Sequence, residues 1–241
     1  MNAPGGSVAG SFRDSAPILY VPDKVERADF AEFAARVVRL DPTSVIRLVG
    51  LDGQVTAWAY TPFDVLATRA VPGELDPPDL TVVATELLAA LAVVRESRVD
   101  PGQPVDARWR AELSPVHGWR TVQEVSTAEL AALAEQGIGR MREHGGSSAV
   151  GSSAVGPAEL LDRPVLTVLD AGAAGARVRI PLRCVLALAG LGLLDDPRPA
   201  EQPDRYPDRV SISVTDSWVR LDAGLGAVVR RRRALLPLLV S

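Results

Sequence analysis

Apolar positions in this chain repeat with two different periods, and the switches between them mark out the elements. From Ala28 to Leu40, Phe30, Phe33, Val37 and Val38 fall on one helical face. Asp29 and Glu32 precede Arg36 and Arg39, the order a helix dipole favours. Asp41-Pro42 ends that helix, because a residue before proline avoids the helical region. The pattern then alternates. Ser44–Val49 and Gln54–Tyr60 are β-rich runs around Leu51-Asp52-Gly53, which reads as a hairpin closed by an Asp-Gly turn. In the second run Thr56, Trp58 and Tyr60 share a face, so one side of the hairpin is aromatic. Thr61-Pro62-Phe63-Asp64 reads as a capped helix start, carried by Val65, Leu66 and Arg69 to Pro72-Gly73. Residues 74–80 read as a loop, and Thr81–Ser97 as a helix on Val83, Leu87, Leu91 and Val94.

Pro101–Pro104 reads as a turn, followed by a stretch carrying Trp109, Leu113 and Trp119 and broken by Pro115 and Gly118. Trp119–Val125 reads as a short strand. Ser126-Thr127-Ala128-Glu129 is a capping box for a helix to about Arg142, with Leu130, Leu133, Ala134, Ile138 and Met141 inward. Gly137 and Gly139 each weaken that helix by ~1 kcal/mol against alanine. The pentapeptide Gly-Ser-Ser-Ala-Val stands twice, at 146–150 and 151–155, and reads as a flexible linker. No Gly-Lys-Ser/Thr follows it, so it lacks the cation of a phosphate loop.

In the last third, Pro164–Leu169 and Ala176–Ile180 read as a hairpin, and Pro181 introduces an apolar helix, Leu182–Leu188. The order of hairpin, proline and helix thus occurs twice, at Ala59–Phe63 and Arg179–Leu182. A diverged duplication and the common grammar of strand-to-helix turns both account for it. Residues 195–208 read as a surface loop. Arg209–Thr215, Ser217–Leu221 and Ala227–Arg232 read as strands, and Ala234–Val240 as an apolar tail packed back on the body. The expected fold is α+β: antiparallel β-hairpins packed against about five helices, as two similar hairpin-helix lobes. The expected layout is a disordered tail at 1–17, an N-terminal lobe at 18–142, a Gly/Ser linker at 143–158 and a C-terminal lobe at 159–241.

Composition narrows the chemistry. Of the 241 residues 47% are hydrophobic and 23% charged, a globular balance. The one cysteine, Cys184, excludes an intramolecular disulfide and a cysteine zinc cluster. Two histidines, His117 and His144, exclude a three-histidine metal site. No apolar run reaches the ~20 residues of a membrane helix, and the opening residues lack the apolar core of a secretory signal. A soluble, cytoplasmic protein is expected. The net charge is −4, and Lys24 is the only lysine among 26 basic residues. Arginine suits phosphate and carboxylate recognition, and a GC-rich genome also favours it.

Three features are candidates for function. Arg230, Arg231, Arg232 and Arg233, joined by Arg209 and Arg220 if their strands are neighbours, form a candidate nucleic-acid contact. A solvated strand edge guarded against aggregation explains the same run, and the overall acidity favours that explanation. Trp58, Trp119 and Trp218 are candidate interface residues, since tryptophan is enriched where proteins meet, although core packing is its commoner use. Among possible reactive groups, His117 reads as a surface-turn residue and His144 as solvated. Cys184 reads as a buried inert thiol, and the carboxylates at Asp76, Asp79, Asp195 and Asp196 as turn chemistry. The chain contains no HExxH, GxSxG, CxxC or strand-borne GxGxxG motif, so no catalytic, cofactor or metal residue is assigned.

TPFDVLATRAVPG, DLTVVATELLAAL with RWRAELSP, HGWRTVQEVSTAEL and DSWVRLDAGLGAVVRRR together resemble a family of uncharacterised actinobacterial proteins, over most of residues 40–233. The resemblance implies a GC-rich bacterial source and a cytosolic setting, and no reaction or cofactor. The expected function is a non-catalytic protein acting through protein–protein contact, a homodimer included. Nucleic-acid binding through the arginine run is the alternative, and an enzyme of unrecognised type the second.

Overall fold

The computed structural model describes residues 16–93, 96–145, 157–170, 172, 175–195 and 208–232. The first fifteen residues, the pentapeptide repeat, most of the 195–208 loop, Arg233 and the apolar tail lie outside the described residues. The first half runs β1 (Ile18–Tyr20), α1 (Lys24–Leu40), β2 (Val45–Leu51), β3 (Gln54–Tyr60), β4 (Leu66–Pro72), β5 (Glu74–Asp76), β6 (Asp79–Val83), α2 (Ala84–Val93) and β7 (Arg98–Val99). The second runs β8 (Arg120–Ser126), α3 (Thr127–Gly145), α4 (Pro157–Asp162), β9 (Pro164–Asp170), β10 (Ala176–Pro181), α5 (Leu182–Gly190), β11 (Arg209–Val214), β12 (Trp218–Ala223) and β13 (Gly226–Arg231). The fold is α+β, with antiparallel sheets and five α-helices among the described residues.

One sheet of eight strands, in the order β6-β2-β3-β4-β13-β12-β11-β8, carries the architecture. It divides into two similar lobes of four strands. In each, a helix feeds a three-stranded meander: α1 into β2-β3-β4, and α5 into β11-β12-β13. A fourth strand that runs straight into a helix (β6 into α2, β8 into α3) borders each meander. The halves join where β4 pairs with β13, through Thr68 with Ala227, Ala67 with Val228 and Leu66 with Val229. Small sheets β5-β1-β7 and β10-β9 flank the large one. Arg120 on β8 holds Asp170 of β9 at 2.5 Å, tying the C-terminal hairpin to the main sheet.

Local chemistry explains where several elements begin. Asp23 accepts from the backbone N–H of Val25 at 2.7 Å and of Glu26 at 2.9 Å. That cap starts α1 at Lys24, ahead of the expected Ala28. Asp52 and Gly53 both take positive φ, 50° and 75°, as a tight Asp-Gly hairpin requires. Ser126 Oγ accepts from Glu129 N at 3.1 Å, so the cap of α3 is where the sequence places it.

Two expectations are corrected. The chain from Thr61 to Pro72 is not a helix. Thr61 Oγ1 and N both donate to the Val65 carbonyl, at 2.9 and 3.0 Å, and close residues 61–65 into a turn with Asp64 at φ 58°. Leu66 then opens β4, which finds β3 on one side and β13 on the other, a tertiary demand that overrides the local helix signal. Likewise, residues 74–83 hold β5 and β6 instead of a loop and a helix start. Pairing of Asp79–Val83 with β2 delays α2 to Ala84.

The helices cover one face of the sheet, and a single core runs beneath both lobes. Phe30, Phe33, Ile46, Leu48 and Leu87 from the first half are buried in it with Leu130, Ile180, Leu188, Ile212 and Leu221 from the second. Arg36 of α1 donates to the carbonyls of Leu191 and Gly192 just beyond α5, so the last turn of one lobe's helix is capped from the other.

Candidate functional site

The opposite face of the sheet carries a second, aromatic cluster. Along β3, Ala57 and Ala59 point to the helices, so Trp58 points away. The same alternation sends Leu66, Trp218 and Val229 outward from β4, β12 and β13. The segment between the lobes, residues 100–119, lies over this face and adds Trp109, Ala111, Leu113 and Trp119. All four tryptophans, which stand far apart in sequence, therefore meet in one place. Trp58 and Trp218 are 5% and 8% exposed, and Trp109 and Trp119 are half-buried. The Trp109 indole donates to the Ala111 carbonyl at 2.6 Å and the Trp119 indole to that of Pro115 at 2.9 Å, so each ring is held by its own loop. Arg47 lies over the Trp109 ring at 5.9 Å and makes a paired contact with Asp79, at 2.8 and 2.6 Å. That hydrogen bonding raises the Arg47 pKa further above its ordinary value.

Where the covering segment crosses the junction of the lobes it leaves a groove of about 720 Å³. Its apolar floor is Tyr60, Val65, Leu66, Trp218 and Val229, with Trp109 and Ala111 as one wall. Its rim is charged: Arg108, Arg110 and Glu112 on the covering segment, Asp64 on the β3–β4 turn, and Arg230, Arg231 and Arg232 at the end of β13. The volume falls within the range of ligand pockets, roughly 300–1,000 Å³.

A quartet of charges fixes one end of the groove. Arg183 on α5 reaches Asp64 at 3.0 Å and Asp162 at 2.8 Å. Arg230 reaches the same two carboxylates at 3.6 and 3.1 Å. Tyr60 donates its hydroxyl to Asp64. Burial, then the Asp64 contact, pushes the Tyr60 phenol up to about 12. Because Asp64 belongs to the first lobe and the other three charges to the second, the quartet clasps the junction.

The candidate arginines do not form one surface. Arg209 pairs with Glu124 at 3.6 Å, and Arg220 pairs with Asp222. Arg230 is in the quartet, Arg231 pairs with Glu112, and Arg232 donates to the Thr215 carbonyl at 3.0 Å. Arg233 lies outside the described residues. Of the candidate interface residues, Trp218 lines the groove, Trp58 lies in the cluster beneath it, and Trp119 packs beside that cluster. Trp109, one of the four tryptophans, also lines the groove, as do Tyr60 and Leu66, which the sequence reading does not single out. The alternation Leu66/Thr68/Ala70 was the available signal for Leu66, hidden by reading that segment as helix.

The reactive groups are placed plainly. Cys184 is buried on α5, and burial pushes its thiol up to about 12. His117 is exposed in a turn, Asp79 is bound to Arg47, and the side chain of His144 and all of Asp196 lie outside the described residues. Among the described residues no three His, Cys, Asp or Glu side chains group closely enough to hold a metal ion. No described helix is long and apolar enough to cross a membrane.

Among solved structures, the fold is similar to the DNA polymerase sliding clamp from Bacillus subtilis, with TM-score 0.53 and 14% identity over 92% of this chain and 66% of that one. It is also similar to the pol III beta of Caulobacter crescentus, with TM-score 0.51 and 15% identity over 89% of this chain and 65% of that one. The chain therefore spans about two thirds of the length of these clamps, and at such identity the likeness establishes the fold alone. No curated protein sequence matches the chain. Two family profiles do, and they divide the chain within the segment that covers the groove. Residues 15–111 match the family described as Domain of unknown function (DUF8010). Residues 114–235, just over half of the chain, match a second profile, so the protein belongs to the family described as Domain of unknown function (DUF8185).

Proposed function

We propose that this protein is a non-catalytic interaction scaffold that docks a protein partner in the groove at the junction of its lobes. The observation that carries the reading is the groove itself: an apolar floor of about 720 Å³ walled by Trp109 and rimmed by charges. A half-buried aromatic wall beside apolar pockets is the composition of an interface hot spot. Its rim groups Arg230, Arg231, Asp64 and Glu112 are ion-paired to one another or to neighbours, an arrangement suited to recognition. The fold supports the reading, being shared with proteins described as DNA polymerase sliding clamps.

The test is selection of a randomised twelve-residue peptide library on the full chain, repeated with Trp109→Ala. Recovery of peptides that bind the wild type and lose at least tenfold on Trp109→Ala supports docking here. Recovery of none, or of peptides indifferent to Trp109, refutes it. Sedimentation of the protein alone decides whether a second copy is the partner. Nucleic-acid binding through Arg209, Arg220 and Arg230–Arg232 is less favoured, because each of these guanidinium groups already has a carboxylate or carbonyl partner.

A further inference from the structure

The groove continues beyond its apolar floor. Arg230, Arg231 and Arg232 also line a second cleft, of about 550 Å³, whose far wall is Arg177 and Arg179 of β10. The acidic side chains of that cleft are Asp162 and Asp216, so five arginines face two carboxylates. Arg230 and Asp162 already neutralise each other at 3.1 Å. Arg177 and Arg179 are different. They occupy exposed positions on β10, and neither forms an ion pair or hydrogen bond among the described residues. Two unpaired guanidinium groups, one residue apart on the same face of a strand, stand at one end of a groove whose other end is apolar.

The backbone between the two ends is also open. The last β4 partner of β13 is Leu66, opposite Val229. β13 continues through Arg231, so among the described residues its final two residues have no strand beside them on that side. An extended chain laid there can add to that end of β13, the mode by which sheet edges take up peptides.

We propose that the partner segment is an acidic extended peptide. It places an apolar side chain over Leu66, Trp109 and Trp218, runs its main chain beside the end of β13, and sets one or two carboxylates on Arg177 and Arg179. Guanidinium forks match carboxylates in geometry as well as charge. A nucleic acid fits the same surface less well. It has no need of the apolar floor, and it carries a charge at every nucleotide along the path past Asp64 and Glu112, whereas the peptide needs carboxylates only at Arg177 and Arg179. The proposal rests on the docking reading and adds the chemistry of the ligand.

The experiment repeats the library selection on the full chain with Arg177→Gln/Arg179→Gln. Both positions are exposed, so matching thermal melts will confirm an intact fold. Wild-type peptides are expected to be enriched in Asp and Glu within a few residues of an apolar anchor. The variant is expected to keep the anchor and lose the acidic enrichment. A selected acidic peptide, labelled and titrated by fluorescence polarisation, should bind the variant roughly five- to tenfold more weakly, as two exposed charge pairs allow. Its Gln/Asn-substituted counterpart should bind both proteins alike. Wild-type peptides without acidic enrichment, or acidic peptides indifferent to the variant, overturn the proposal and leave docking intact. Failure to recover any Trp109-dependent peptide overturns both. Displacement of the acidic peptide by a twenty-nucleotide oligothymidylate at lower concentration than by unlabelled peptide assigns the cleft to nucleic acid and overturns the proposal as well.

Discussion

Replacing Gly139 by alanine will stabilise the protein, and replacing Gly137 will destabilise it, although the two residues share one helix. Both stand inside α3, where Gly→Ala gains ~1 kcal/mol of helix propensity. At Gly139 an added Cβ meets nothing within 4 Å, so the gain is kept. At Gly137 it would lie 2.3 Å from Leu182 Cδ1, 3.0 Å from Cδ2 and 3.2 Å from Cγ. Leu182 is 4% exposed in the first turn of α5, and a cavity of about 210 Å³ lined by Leu182 and Gly137 gives its methyls limited room to swing into. Overpacking of this kind costs roughly 1–3 kcal/mol, and the neighbouring cavity holds this contact near the middle of that range. The net expectation for Gly137→Ala is a loss of about 1 kcal/mol, roughly 2 kcal/mol below Gly139→Ala. For a protein of this size that separates the melting temperatures by roughly 4–8 °C. Melts followed by circular dichroism read the difference directly, and in a Leu182→Ala background Gly137→Ala should lose most of its penalty, because the contested space is empty. Equal upward shifts from both glycine substitutions would refute the close approach of α3 to α5.

Further outcomes follow from the junction and the two cores. Asp162→Ala removes partners from Arg183 and Arg230 and leaves the 7%-exposed Arg183 side chain with one carboxylate, so urea unfolding should show a loss of about 2–4 kcal/mol. A loss below 0.5 kcal/mol, roughly the level of a surface pair, would mean that Asp162 does not hold the two arginines. Trp58→Ala should cost about 3–5 kcal/mol because the ring is buried, and Trp119→Ala, half-buried in the covering segment, clearly less in the same assay. Cys184 should resist disulfide reagents at pH 8 in the folded protein and react fully once denatured. Its thiol is raised from 9.0 to about 12 in the folded state, so the folded form holds that proton more tightly. The resulting stability is complete below pH 9 and drains away as pH rises toward 12, a slope that Cys184→Ala should lack in urea titrations.

How much of this was legible depended on whether the signal was local. The Asp-Gly hairpin, the Ser126 cap and the strands β9 to β13 rest on neighbours in sequence, and the chain states them openly. β4 does not. Thr61-Pro62-Phe63-Asp64 satisfies the rules for a helix cap and for a turn equally well, and only the waiting edges of β3 and β13 decide. The pairing of β8 with β11 crosses more than eighty residues and has no local trace at all. The aromatic cluster was half legible. The alternation along β3 put Trp58 and Tyr60 on one face, but nothing in the sequence brings Trp109 and Trp218 to the same place. The arginine run was conspicuous for its length, yet its members turn inward and outward alternately along β13. Arg230 joins a junction quartet and Arg231 a surface pair. Arg177 and Arg179, without an ion pair or hydrogen bond among the described residues, stand in a hairpin and carry no local mark of a site.

Whether the junction groove is the docking surface is decided most directly by the four indole N–H signals of the ¹⁵N-labelled protein, titrated with a selected acidic peptide. Trp109 and Trp218 line the groove, whereas Trp119 packs beside the cluster without lining it. Shifts at Trp109 and Trp218 that saturate with binding while Trp119 stays in place are the predicted result. Binding that leaves Trp109 and Trp218 unmoved would contradict the account.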